Sequence, residues 1–352
     1  MTPAGSLAVF RLDARPESGL GHLSRCGALA GALRKAGWRI AAALGDEKPP
    51  IAPHGFTECV TLSDAGRADA LRTQWPDGCD LLVVDHYGLD TEFESGCRGW
   101  ARCILAMDDG TGRHHECDLL LDAAAQNMGE SYRPFIPVGC EILAGPSFAL
   151  LPDETRQARC AALARDRSAK PRRAVIYLGG AEDGRLTLLL RDALTAIDPT
   201  LDIDIVLPAA AARSLVAARP AARSSAVRVH DAAPSLTPIF GAADIAIGAA
   251  GVTAWERCCL GLPSLAIVTA ENQRGVAAYL RATGAATVID QTEAEDPVKL
   301  HAVLASLLTD GEARQSMARA AADLCDGEGP HRVAEALAHG SSEPRHAGAG
   351  RC

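Results

Sequence analysis

The sequence predicts an α/β protein built as two parallel-sheet domains that face each other across a cleft. Three observations carry that prediction. The chain has 352 residues, more than one domain of ordinary size needs. Short apolar runs suited to strands alternate with helical segments and glycine loops, the βαβ order that implies a parallel sheet and right-handed crossovers. Several of those runs finish in acidic or polar residues, and ligands of open α/β sheets bind at the carboxyl ends of the strands.

Taken in order, Leu7–Leu12 reads as a buried strand and residues 13–21 as a glycine-containing loop. A helix then begins near His22, with Cys26, Leu29, Ala30 and Leu33 on one face, and Gly37 stops it. Strands are expected at Arg39–Leu44, Phe56–Leu62, Leu81–Val84 (ending in Asp85-His86-Tyr87), Cys103–Met107 (ending in Asp108-Asp109) and Leu119–Leu121 (ending in Asp122). Residues 152–173 are charged and Ala-rich and lack a strand, as a connection with at most a turn or two of helix would.

A second run follows: strand Ala174–Leu178 into Gly179-Gly180, helix Leu186–Ile197, and strands Ile203–Leu207 and Val227–His230. Strand Ile245–Ile247 leads through Gly248-Ala249-Ala250-Gly251 into a helix, then strand Leu265–Val268 ends near Glu271-Asn272-Gln273. Thr287–Ile289 and three helices, Val298–Leu308, Arg314–Leu324 and Arg332–Ala338, close the chain. The expected division is a first domain at 1–151, a connection at 152–173, a second domain at 174–339 and a disordered tail at 340–352.

Composition narrows the function. Net charge is −9 with no long basic run, which argues against a nucleic-acid or anionic-membrane surface. No leader-like segment precedes Leu7 and no apolar stretch approaches the length of about 18 residues that a spanning helix needs, so a cytoplasmic protein is expected. The 12 cysteines form no C-x-x-C pair and read as reduced thiols. His114-His115-Glu116-Cys117 looks ligand-rich, but adjacent residues project apart, so neither a metal nor a cofactor is expected. The oligomeric state is open, and a monomer is compatible.

The chemistry-bearing residues gather at the two glycine loops. His22 opens the first helix after Gly21, and Arg25 lies on the same face. The positive end of the helix should depress the histidine pKa and leave a neutral base, although a hydrogen-bonded core histidine is the plain alternative. Asp13, Asp85, Asp108, Asp109 and Asp122 end strands; singly each is an ordinary cap, together they suit sugar hydroxyls and amides. Tyr87, Gln126 and Asn127 could add a stacking face, donors and acceptors. In the second half the turn at Gly248, Gly251, Val252 and Thr253 lets an anion approach the backbone, as do Gly179 and Gly180. Glu256 could hold a ribose, or be an exposed carboxylate paired with Arg257 or Arg281; Asn272 and Gln273 could reach a diphosphate.

These blocks resemble one family from about residue 7 to residue 290. Arg11-Leu12-Asp13, Gly19-Leu20-Gly21-His22, Arg25-Cys26, VDHYGLD at Val84–Asp90, MDD at Met107–Asp109 and CDLLLD at Cys117–Asp122 carry the first half. GPSFALL at Gly145–Leu151, Leu178-Gly179-Gly180, GAAGVTAWERCCLGLPSL at Gly248–Leu265 and Glu271-Asn272-Gln273 carry the rest. The chain is similar to the bacterial UDP-2,4-diacetamido-2,4,6-trideoxy-β-L-altropyranose hydrolases of pseudaminic acid biosynthesis.

That resemblance implies a glycosyltransferase-B-like pair of Rossmann-like domains and metal-free hydrolysis of a UDP-sugar by water, with inversion. It implies His22 as the base, Glu256 on the ribose, and the Gly248–Thr253 turn with Asn272 on the diphosphate. The remaining candidates, Asp13, Gly21, Arg25, Tyr87, Asp108 and Gln126, would line the sugar pocket. The chain departs from the family pattern at Ala181-Glu182-Asp183, Phe148 and Pro152, which bears on the identity of the sugar. A glycosyltransferase of the same fold and a non-catalytic nucleotide-sugar sensor are the competing expectations.

Overall fold

The computed structural model describes residues 5–15, 21–45, 54–110, 112–124, 127–179, 184–207, 226–231 and 235–340. Two all-parallel sheets form. The first takes β1 (Leu7–Leu12), β2 (Arg39–Leu44), β3 (Glu58–Thr61), β4 (Cys79–Asp85), β5 (Ala101–Met107), β6 (Leu119–Asp122) and β7 (Glu141–Ala144) in the spatial order 3-2-1-4-5-6-7. The second takes β8 (Arg173–Tyr177), β9 (Asp202–Leu207), β10 (Val227–Asp231), β11 (Ile245–Ala249), β12 (Ser264–Val268) and β13 (Thr287–Asp290) in the order 10-9-8-11-12-13.

In each sheet the order reverses once, between β1 and β4 and between β8 and β11. Crossovers on either side of such a reversal leave for opposite faces, so a crevice opens at the carboxyl ends of the central strands. The strand interiors are apolar throughout, as a sheet covered on both faces requires: Val9, Phe10, Leu82, Val83, Ile176 and Ile205 are all fully buried. The helix Gly21–Lys35, α1, covers β1 with Leu23, Cys26, Leu29, Ala30 and Leu33, each at 0% exposure.

Three features differ from the sequence reading. Strand β7 was not expected; it is only four residues long and begins with an exposed Glu141. The connection after Leu151 holds an 11-residue helix, Asp153–Leu163, instead of a turn or two. The last helix, Gly329–Gly340, was expected to close the second unit, but it returns to the first and packs Val333 and Leu337 into the core beneath α1. The expected tail beyond residue 340 lies outside the described residues.

The chain therefore passes between the sheets twice, near Pro152 and again near Glu328. The two passages are cross-linked. Arg156 Nη1 pairs with Glu328 Oε1 at 3.3 Å, and Arg159 Nη1 donates to the carbonyls of Cys259 and Cys325 at 2.7 and 2.9 Å. Arg332 Nη1 donates to Ser147 O at 2.9 Å.

Candidate active site

Both reversal points open on one cleft of about 860 Å³. From the first sheet it is lined by Gly21, His22, Arg25, Tyr87, Asp108 and Asp109, and from the second by Gly179, Gly251, Val252, Thr253, Asn272 and Gln273. The halves approach closely at two places. A methyl group on Gly21 would lie in ordinary contact, 3.6 Å, with Val252 Cγ2, and Asn272 Nδ2 donates to Tyr87 Oη at 3.1 Å.

His22 enters from the first turn of α1 and meets Asp85 at the end of β4, with Nδ1 2.7 Å from Asp85 Oδ1. Burial alone would raise the Asp85 pKa, but the Arg25 guanidinium and His22 more than offset it and hold the carboxyl well below the usual range. An ionised carboxylate only accepts hydrogen bonds, so Nδ1 carries the proton, and in the neutral ring Nε2 is the nitrogen that holds the lone pair. Arg25 spans two carboxylates, donating through Nε to Asp85 Oδ2 and through Nη1 to Asp109 Oδ1, both at 2.8 Å. The Cys26 thiol donates to Asp85 Oδ2 at 3.2 Å. The His22 ring stands edge-on to Tyr87 at 5.1 Å, and Tyr87 Oη donates to Asp109 Oδ2.

Behind this wall a second polar layer holds the floor. Arg113 Nη2 donates to Asp108 Oδ1 at 2.8 Å, while Nη1 clamps the carbonyls of His86, Tyr87 and Leu89 at 3.0–3.1 Å. His115, the centre of the ligand-rich cluster, lies between Glu94 Oε1 at 2.9 Å and Asp108 Oδ2 at 3.5 Å. Its job is to neutralise two buried carboxylates. Among the described residues no group of three or more His, Cys, Asp or Glu side chains is placed to hold a metal ion. The cysteines among them are all free, and most are buried. Burial raises the Asp122 carboxyl to about 6, against hydrogen bonds from Tyr132 and the Ala124 N–H.

On the other wall, Gly179 follows the end of β8 with a φ of 109°, a backbone that residues other than glycine rarely adopt, and nothing lies within 4 Å of where a Cβ would stand. Gly251, Val252 and Thr253 carry the chain from β11 into the helix Thr253–Cys259. Gln273 is tied to Thr269, accepting from its N–H at 2.9 Å.

Three predicted positions lie elsewhere. Asp13 is 1% exposed and does not line the cleft, because Arg15 caps both its carboxylate oxygens. Gly248 belongs to β11 and not to a turn; a methyl there would collide with Arg257 Nη1 and lie 2.9 Å from Tyr177 O, so packing explains the glycine. Glu256 is buried at 4% and does not line the cleft, which also removes the exposed-carboxylate alternative. Burial raises its pKa to about 7, with Arg257 opposing. Gln126, Gly180 and Ala181-Glu182-Asp183 fall outside the described residues. Asp85 and Asp109 were expected only as members of the set of strand-ending acids, without partners assigned, and Arg113 was not singled out at all.

Comparison with solved structures places this geometry. The fold is that of the glycosyltransferase-B group. The spinosyn rhamnosyltransferase SpnG, complexed with thymidine diphosphate, superposes with a TM-score of 0.65 at 18% identity over 95% of this chain and 100% of its own. MurG of Acinetobacter baumannii gives 0.61 at 15% over 96% and 100%, and the calicheamicin glycosyltransferase CalG4 gives 0.64 at 14% over 97% and 100%. No family model matches the chain.

Among curated proteins, the UDP-2,4-diacetamido-2,4,6-trideoxy-β-L-altropyranose hydrolase of Campylobacter jejuni is 27% identical over 196 residues, 53% of this chain and 65% of its own. The uncharacterized protein MJ1062 of Methanocaldococcus jannaschii is 22% identical over 273 residues, 74% of this chain and 55% of its own. The chain spans under two thirds of the length of either relative. No helix among the described residues is long and apolar enough to cross a membrane.

Proposed function

We propose that this chain is a cytoplasmic UDP-sugar hydrolase acting on UDP-2,4-diacetamido-2,4,6-trideoxy-β-L-altropyranose. The observation that carries the reading is the His22–Asp85–Arg25 constellation, which faces the backbone turns of Gly179 and Gly251–Thr253 across one cleft. The likeness to the Campylobacter hydrolase supports it. In this reading residues 1–151 supply the base and the sugar pocket, with Tyr87, Asp108 and Arg25 around the sugar, and residues 174–339 hold the nucleotide.

His22 Nε2 takes a proton from a water as the water oxygen bonds to the anomeric carbon. The bond from that carbon to the phosphate oxygen breaks, its electron pair leaves with UDP, and the sugar is released with inverted configuration. Asp85 holds the ring in the required tautomer and stabilises the imidazolium that forms. The backbone donors of the turns at Gly179 and Gly251 meet the charge that develops on the departing diphosphate.

Incubating purified protein with this nucleotide-sugar and following UDP and free sugar by NMR tests the proposal. Release at the rate of the protein-free blank would sink it. A transferase is the second reading, suggested by the fold shared with SpnG and CalG4. It requires UDP release to depend on an added acceptor, whereas hydrolysis proceeds in buffer alone. Tight binding of the nucleotide-sugar without turnover would instead mark a sensor.

A further inference from the structure

Arg257 is the largest side chain in the protein with under 2% exposure. Its guanidinium lies against the inner side of the chain that joins β11 to the helix Thr253–Cys259. Nη2 donates to Ala249 O at 2.8 Å, Nη1 reaches Thr253 Oγ1 at 3.4 Å, and Nε is buried with no partner. Gly248 lacks the methyl group that would collide with Nη1. Ala249, Gly251 and Thr253, immediately on the other side of this layer, line the cleft.

An unpaired cation is costly to bury, and removing its counter-charge costs more than the pair gains. Arg257 forms no ion pair among the described residues. Its neighbour Glu256 is too desolvated to serve as a full counter-charge. A cation kept one residue-layer behind the cleft can be neutralised by an anion bound in it. The contact with Thr253 gives the charge a path: a hydroxyl that accepts from Nη1 turns its own O–H away from Arg257, toward the cleft.

We infer that Arg257 is a positioning residue for the phosphates of the nucleotide, supplying a buried counter-charge and orienting the Thr253 hydroxyl toward them. The inference rests on the nucleotide reading above and assigns the cation within it.

The test is calorimetric affinity for UDP, UMP and uridine, measured on the wild type, Arg257→Met, Arg257→Lys and Thr253→Val. Loss of a charge behind the phosphates should weaken UDP by roughly 10- to 100-fold and UMP by less, leaving uridine unchanged. Arg257→Lys should recover part of the loss, and Thr253→Val should show a smaller loss of the same kind. A merely structural arginine would weaken all three ligands by one common factor, and that result overturns the inference. If Arg257→Met does not fold, Thr253→Val and Arg257→Lys decide by the same ratio of UDP to uridine affinity. A wild type that turns over the nucleotide-sugar while the variants keep that ratio overturns this inference alone. A wild type that binds none of the three ligands overturns the functional reading with it.

Discussion

His22 Nδ1 and Asp85 Oδ1 lie 2.7 Å apart, with 5% and 1% of their side chains exposed. The imidazole is thus oriented from the neighbouring strand and not from its own helix. β1 and β4 are adjacent and parallel, so the first turn of α1 and the last residue of β4 meet at one sheet edge. That adjacency gives the histidine of α1 a carboxylate partner.

Asp85→Asn should lower UDP release by roughly 10²–10⁴-fold, as His22→Ala should, because an amide no longer dictates which ring nitrogen holds the proton. UDP affinity by calorimetry should stay unchanged in both. Rate and affinity falling together would show that the pair only supports the fold.

Tyr87→Phe removes the hydroxyl that joins Asp109 to Asn272 across the cleft. One lost hydrogen bond of about 1.4 kcal/mol lowers kcat/KM by roughly tenfold. Asn272→Ala should cost a similar factor, and the double variant should be little worse than either, since both break one link. Fully additive losses would contradict a shared bridge.

His115 makes stability depend on pH. Burial alone would lower its pKa, but the adjacent carboxylates of Asp108 and Glu94 more than offset that and hold it at about 9. A pKa raised on folding contributes stability that is complete below the unfolded value near 6.5 and is lost as pH rises through about 9. At about 1.4 kcal/mol per pK unit, the rise from 6.5 to about 9 limits the contribution to about 3.5 kcal/mol. Urea denaturation at several pH values between 6 and 10 should show wild-type stability falling across that window and His115→Gln staying flatter; parallel curves would rule the contribution out.

Phe148, one of the positions where the chain departs from the family pattern, lines the cleft. Phe148→Tyr should change KM between UDP-sugars with and without a 4-acetamido group, and leave kcat for each nearly constant. Identical KM values for wild type and variant on both sugars would remove Phe148 from sugar selection.

Much of the fold was legible because parallel strands buried on both faces leave unbroken apolar runs, as in Leu81–Val84 and Ile245–Ile247. The acids that end those runs were legible as a group but not singly. Asp13 meets Arg15 and Asp108 meets Arg113 close by in the chain, whereas Asp85 finds His22 only through the order of the sheet. Gly248 looked like part of a glycine turn because the sequence could not show Arg257 pressing on its α-carbon. The destination of the last helix was hidden for a similar reason. An apolar stripe such as Val333 and Leu337 shows that a helix covers something, but not which sheet.

The paired passages at Pro152 and Glu328 have a mechanical consequence. A link made of one strand of chain would let the two halves bend and twist in any direction. Two links side by side, pinned to one another by Arg156 and Arg159, leave a single easy rotation about the line that joins them.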